Sequence, residues 1–137
     1  MKLRIRGNSV RLRLDQRDLN QLLISGRIEE GIRFGEDAMR YFSYALEIDD
    51  VGGHSPQIDY HSGHFVVRLS RRSADAWKNS EQVGFDVLQS VEGAEIRLLV
   101  EKDFACLDRP AGEEMDDAFA FPNPQAECPV VPDRVEN

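Results

Sequence analysis

The sequence predicts an α+β domain of mostly antiparallel strands, made of two ββαββ units, and three observations predict it. The first is an internal repeat at a spacing of about 55 residues. Leu3, Ile5, a turn at Gly7-Asn8, then Val10, Leu12 and Leu14 return as Ile58, Tyr60, a turn at Ser62-Gly63, then Phe65, Val67 and Leu69. The second is the period of two in these stretches, which marks half-buried strands. The third is that each copy then carries one short apolar face behind a capping residue, Asp15 or Ser70. A repeat of this length constrains the architecture before any single residue does.

The elements follow in chain order. Lys2–Arg6 and Val10–Leu14 alternate cleanly and form a hairpin. Asp15 caps a helix with Asp18 at its positive end, Leu19, Leu22 and Leu23 supply its apolar face, and Gly26 stops it. Ile28, Ile32 and Phe34 mark a third strand, and Phe42 to Ile48 a fourth. Asp50 to Pro56 is a linker of turn-forming residues. In the second copy, Ser70 caps a shorter helix with Ala74 and Trp77 on its buried face. Val83, Phe85 and Val87 form a strand, Glu92-Gly93 a turn, and Ile96, Leu98 and Val100 close the unit. Ala45-Leu46-Glu47-Ile48-Asp49 is echoed one residue out of step by Leu99-Val100-Glu101-Lys102-Asp103.

These units, about 1–49 and 56–103, are expected to form a barrel-like or two-sheet domain with two short helices. Closure is favoured because it removes exposed strand edges. Residues 104–137 are an acidic tail holding five of the six prolines. Ala118-Phe119-Ala120-Phe121 is too apolar for pure solvent chain, so part of this tail is expected to pack on the body.

With 137 residues the chain is long enough to bury one core, and its 41% hydrophobic and 31% charged content is ordinary for a soluble globular protein. The net charge of -8 sits mostly in the tail: from Asp103 onward nine acidic residues face two basic ones. The near-neutral body argues against nucleic acid as a partner. The alternating N-terminus is not a signal peptide, nothing suggests a membrane, and two cysteines without a disulfide framework point to the cytoplasm.

The run Lys2-Leu3-Arg4-Ile5-Arg6-Gly7-Asn8-Ser9-Val10-Arg11-Leu12-Arg13-Leu14 resembles the opening of an uncharacterised family of small bacterial proteins. So do Gln82-Val83-Gly84-Phe85, Glu101-Lys102-Asp103-Phe104-Ala105-Cys106-Leu107, and Phe121-Pro122-Asn123-Pro124 with Cys128. The resemblance covers nearly the whole chain. It implies a bacterial, cytoplasmic domain of unknown function, and it carries over no catalytic residue.

The first candidate site is the basic face of the opening hairpin: Lys2, Arg4, Arg6, Arg11 and Arg13. A two-residue turn at Gly7-Asn8 sets Arg4 opposite Arg11 and Lys2 opposite Arg13, and like charges directly opposite cost about 0.2–1 kcal/mol per pair. The second copy has Asp59 opposite Val66 and Gln57 opposite Arg68, so the fold does not require the cluster. Its counter-charge is a neighbouring strand (Glu47, Glu95 or Glu101), the acidic tail, or a phosphate-bearing ligand suited to arginine forks. A phosphatase tunnel would also need clustered metal-binding carboxylates facing the cations, and no Glu-x-Glu strand supplies them.

A second candidate is Glu101 and Asp103 with Cys106, weakened by the equivalent Glu47 and Asp49 of the first copy. Cys106 and Cys128, with His61 and His64 beside the Ser62-Gly63 turn, form a weak zinc pattern, because each cysteine stands alone. Buried or redox-labile thiols are the favoured reading, and no metal or other cofactor is expected. The leading function is a small non-enzymatic binding or regulatory module that engages an anionic small molecule or a protein through the hairpin, the acidic tail modulating access. The alternative is a small enzyme with its site near Glu101, Asp103 and Cys106. A third reading is a homo-oligomer built on an uncovered strand edge.

Overall fold

The computed structural model describes residues 1–50, 53, 55–105 and 119–122. Each unit runs strand, hairpin turn, strand, helix, strand, strand, as the alternation predicts. The first unit holds β1 (Lys2–Arg6), β2 (Ser9–Leu14), α1 (Gln16–Ser25), β3 (Arg27–Arg33) and β4 (Tyr41–Ile48). The second holds β5 (Gln57–His61), β6 (His64–Leu69), α2 (Arg71–Lys78), β7 (Gly84–Val91) and β8 (Ala94–Lys102). A short 3-10 turn at Ala38–Arg40, capped by Asp37, precedes β4 and was not visible in the hydrophobic pattern. Phe34 and Val83, expected within strands, lie just outside β3 and β7 and are exposed.

Local chemistry accounts for the elements. Gly7, at φ 56, opens the β1–β2 turn, and Ser62 and Gly63, at φ 47 and 84, form the equivalent β5–β6 turn, whose backbone twist suits a tight hairpin. The registers are those the turns predict: Arg4 lies opposite Arg11, Lys2 opposite Arg13, and Gln57 opposite Arg68. Asp15 and Asp18 make a reciprocal capping box on α1, and Gly26 ends the helix in the left-handed region with its N–H donating to the Leu22 carbonyl. Ser70 caps α2 through the Ser73 amide.

The strands do not close into a barrel. They form two sheets, ordered β1-β2-β8-β7 and β3-β4-β6-β5, each with two strands from each unit. Outer pairs are antiparallel hairpins, while the central pairs β2·β8 and β4·β6 are parallel. The pseudo-two-fold therefore exchanges the sheets. The amide of Asp103 donates to Leu14 at 2.8 Å and that of Asp49 to Leu69 at 2.9 Å, so even the strand ends correspond.

The inner faces share one core: Leu12, Leu14, Leu98 and Val100 from the first sheet, and Leu46, Phe65, Val67 and Leu69 from the second. Leu19 and Leu22 of α1 and Ala74 and Trp77 of α2 join this core; both helices follow the carboxyl ends of central strands and carry the chain from one sheet to the other. Side chains, rather than strand ladders, bridge the seams. The Gln89 amide exchanges two 2.8 Å hydrogen bonds with the backbone of Ile58, tying β7 to β5. On the other seam the Met1 ammonium reaches Glu30 of β3 at 2.7 Å and Asp18 of α1 at 2.9 Å.

That seam gives a pH-dependent contribution with a definite sign. Burial opposes the Met1 charge, but hydrogen bonds and attraction from Asp18 and Glu30 outweigh it and raise the ammonium above its ordinary value. The resulting stabilisation is complete below the unfolded value of about 8 and is lost as pH rises through the higher folded value. Acetylating the Met1 amine is expected to cost about 1 kcal/mol at pH 7, since Glu30 is half exposed and screened. Urea unfolding of the two forms should converge at high pH; a constant difference would show that the charge is not what the seam uses.

Residues 119–122 lie against the body. The Phe121 amide donates to Asp103 at 2.8 Å, the Ala105 amide donates to Phe121 at 2.6 Å, and the Phe119 carbonyl accepts from Gln16, the first residue of α1, at 2.8 Å. That last bond satisfies one of the orphan donors of the helix N-terminus.

Candidate functional site

Glu101 and Asp103 of the second candidate lie among the basic residues of the first. Parallel pairing of β2 with β8 sets Arg11 beside Leu99 and Arg13 beside Glu101, all on the outer face of the first sheet. The inner positions of the same strands are Leu3, Leu12, Leu14, Leu98 and Val100, so the cations face away from the core and line no tunnel.

The charges on this face are distributed unequally. Arg11 Nε donates to Glu101 at 2.5 Å, and Lys2 Nζ meets the buried Asp103 at 2.9 Å. Both carboxylates of the second candidate are thereby spent on cations of the first. At the far side of the face, Arg97 forms a two-bond fork with Asp86, at 3.1 and 2.7 Å. Arg4 and Arg6 are exposed positions of the edge strand β1. Cys106 and Cys128 lie outside the described residues, as does most of the acidic tail.

Arg13 is different. It is partly buried, and it makes no ion pair among the described residues. Burial is the main influence lowering its guanidinium from the ordinary value, and repulsion from Arg11 adds to it, against attraction from Asp103 and Glu101. Its counterpart in the second unit, Arg68, occupies the same register next to Glu47, with Asp49 beyond. There the cation is surrounded: it pairs with Asp59, and has Glu47 and Asp49 at 3.8 and 3.7 Å. The difference traces to two residues. Where the second unit has Asp59 and Val66, the first has Arg4 and Arg11. One substitution of sign removes a carboxylate from Arg13, and the other draws Glu101 away from it.

The tail side of this region also departs from the repeat. Lys102 takes the place that Ile48 holds in the first unit, and it is buried. Its Nζ donates to the Ser80 carbonyl at 2.8 Å and stands 5.3 Å from the Phe121 ring. A buried cation needs such partners.

The second sheet holds a pairing that no local pattern announces. Ser43 is almost fully buried on β4, and parallel pairing brings it beside His64, with Oγ 2.5 Å from Nδ1. The Tyr41 ring lies 5.7 Å from the same imidazole. His61 sits directly opposite His64 across the hairpin. The histidines were visible in the sequence as neighbours of a turn, but Ser43 was not, because its strand reaches β6 only through a long-range pairing. Among the described residues no group of three or more histidine, cysteine or acidic side chains is arranged to hold a metal ion. Among the same described residues, no helix is long and apolar enough to cross a membrane.

No curated protein and no solved structure matches the chain. Residues 1–125 match a family of unknown function, DUF7009, across the duplicated body and the docked Phe121 segment alike. That span is most of the 137 residues, and the chain belongs to this family of unknown function.

Proposed function

We propose that the protein is a binding module that receives an anionic group at Arg13, with Arg4 and Arg11 alongside it on the outer face of the first sheet. The observation that carries this reading is the contrast between equivalent arginines: Arg68 has three carboxylates around it, whereas Arg13 lies between Lys2 and a Glu101 that pairs with Arg11, and makes no ion pair of its own among the described residues. A partly desolvated guanidinium next to other cations is relieved by an oxyanion, and arginine forks suit phosphate or carboxylate oxygens. The arrangement fits a phosphate-sized group on a small molecule or on a protein, and regulation through such a group is part of the proposal. Glu101 and Asp103 act in it as partners that hold Arg11 and Lys2 in place.

The test uses the two arginines as mutual controls. Inorganic phosphate titrated into the protein is expected to shift the backbone amide signals of Arg11, Arg13 and Glu101 and to raise the melting temperature. Arg13→Gln should lower phosphate affinity at least tenfold while leaving stability unchanged or improved. Arg68→Gln should do the reverse, losing about 1 kcal/mol of stability with phosphate affinity intact, since it removes a half-exposed ion-pair cluster. Equal phosphate affinity in wild type and Arg13→Gln would sink the reading.

A further inference from the structure

We propose that the tip of the β5–β6 hairpin is a two-histidine site for a late first-row divalent cation, copper(II) before zinc(II). It is independent of the anion site, which lies on the other sheet.

Three observations carry it. His61 and His64 are direct partners across the antiparallel pair, on the same outer face. Residues so placed have Cβ atoms about 4.5–5.5 Å apart, within reach of two imidazole nitrogens converging on one ion at bonds of about 2.0–2.1 Å. The turn between them, Ser62-Gly63, is held by its own conformation and by the Tyr60 hydroxyl, which accepts from the Gly63 amide at 3.2 Å. The hairpin tip is therefore a fixed base for both side chains.

The third observation concerns orientation. His64 Nδ1 is engaged by Ser43 Oγ at 2.5 Å, and Ser43 is 2% exposed. A metal-ligating histidine characteristically gives its second ring nitrogen to a hydrogen-bonding partner, which settles the tautomer and the ring plane. In the tautomer that the proposed site requires, Nδ1–H donates to Ser43 Oγ, so that Nε2 keeps the lone pair that a cation takes. Tyr41, with its ring 5.7 Å from the imidazole, flanks the ring from the neighbouring strand. His61 is exposed and supplies the second nitrogen. Asp59, two residues before it on the same face, is held by Arg68. Water completes the coordination sphere, so the site is an open one, accessible to a further ligand. Two imidazoles with water suit copper(II) and zinc(II), and for equal ligands copper(II) binds more tightly.

The test is titration of the tag-free chain with copper(II) and with zinc(II) by calorimetry at neutral pH, with electron paramagnetic resonance of the copper form. Wild type is expected to bind one copper(II) with nitrogen hyperfine structure from two imidazoles, and zinc(II) more weakly. His61→Ala and His64→Ala should each lower copper affinity at least tenfold, with the far-ultraviolet circular dichroism unchanged. Ser43→Ala should lower it about tenfold while both histidines remain, the loss expected when an orienting partner is removed. Copper affinity unchanged in the His61→Ala/His64→Ala double variant would overturn the proposal, since the ion would then sit elsewhere on the chain, and so would the absence of binding in wild type at micromolar copper.

Discussion

A chain cut in the linker at residues 50–56 is expected to give two fragments that fold only together. Each sheet takes two strands from each unit, so neither fragment contains a sheet wider than a hairpin. Alone, residues 1–52 hold β1–β2 and β3–β4 joined by α1, with the parallel edges of β2 and β4 unpaired and half of the shared core missing. An isolated two-stranded hairpin is marginal in water, and exposed inner strand edges invite non-specific pairing. Together the fragments restore the β2·β8 and β4·β6 ladders and the common core. Co-expression of 1–52 and 53–137 with one fragment tagged should recover a one-to-one complex with cooperative unfolding, whereas each fragment alone should show no cooperative transition. A monomeric fragment with native strand content and cooperative melting would mean that the units fold independently, contrary to the intertwined topology.

Replacing Trp77 with alanine is expected to be the most damaging single substitution in the core, at about 3–5 kcal/mol. The side chain is fully buried, its indole N–H donates to the Val83 carbonyl at 3.0 Å, and its ring meets Phe85 edge-on at 5.4 Å. It thus pins α2 to the start of β7, at the point where the chain crosses from the second sheet to the first. Alanine would leave a cavity beneath the helix and remove one of the two hydrogen bonds to the Val83 carbonyl, which would keep the one from the Lys102 amide at 2.9 Å. Set against a typical domain stability of about 5–15 kcal/mol, that loss brings the protein near its unfolding threshold. Trp77→Phe keeps most of the apolar contact and should cost about half as much. Urea unfolding decides the matter: a loss below about 1 kcal/mol in Trp77→Ala would show that the helix docks through other contacts.

Gly84 shows how a close approach enforces a residue type. A Cβ built there would lie 2.0 Å from the Val100 carbonyl oxygen and 2.7 Å from the Glu101 Cα, both backbone atoms. The glycine is needed where β7 begins to run against β8, beside Glu101 of the candidate site. From the sequence alone Gly84 stood only as part of a family-like run, with no reason attached to it.

The amino-acid sequence by itself determined the elements and the hairpins. Period-two alternation, Gly7-Asn8, Ser62-Gly63, and the caps Asp15 and Ser70 are local signals, and local geometry answers to them: Arg4 meets Arg11 and Lys2 meets Arg13 as the turn requires. The repeat also singled out the hairpin cations, because comparison of equivalent positions needs no tertiary information.

What only the tertiary structure decided is which hairpins share a sheet. Ser9 pairs with Arg97 and Ser43 with His64 through parallel ladders whose strands are distant in the chain, and such pairings leave no periodic mark on either strand. From those ladders follow the exchange of hairpins between the units, two open sheets in place of a barrel, and the spending of Glu101 and Asp103 on Arg11 and Lys2. Arg13 is thereby left without an ion pair of its own among the described residues, since its neighbours Glu101 and Asp103 pair with Arg11 and Lys2. The reason is physical: charge balance depends on which side chains share a face across neighbouring strands, and that is set by long-range pairing, whereas strand and turn formation is set within a few residues.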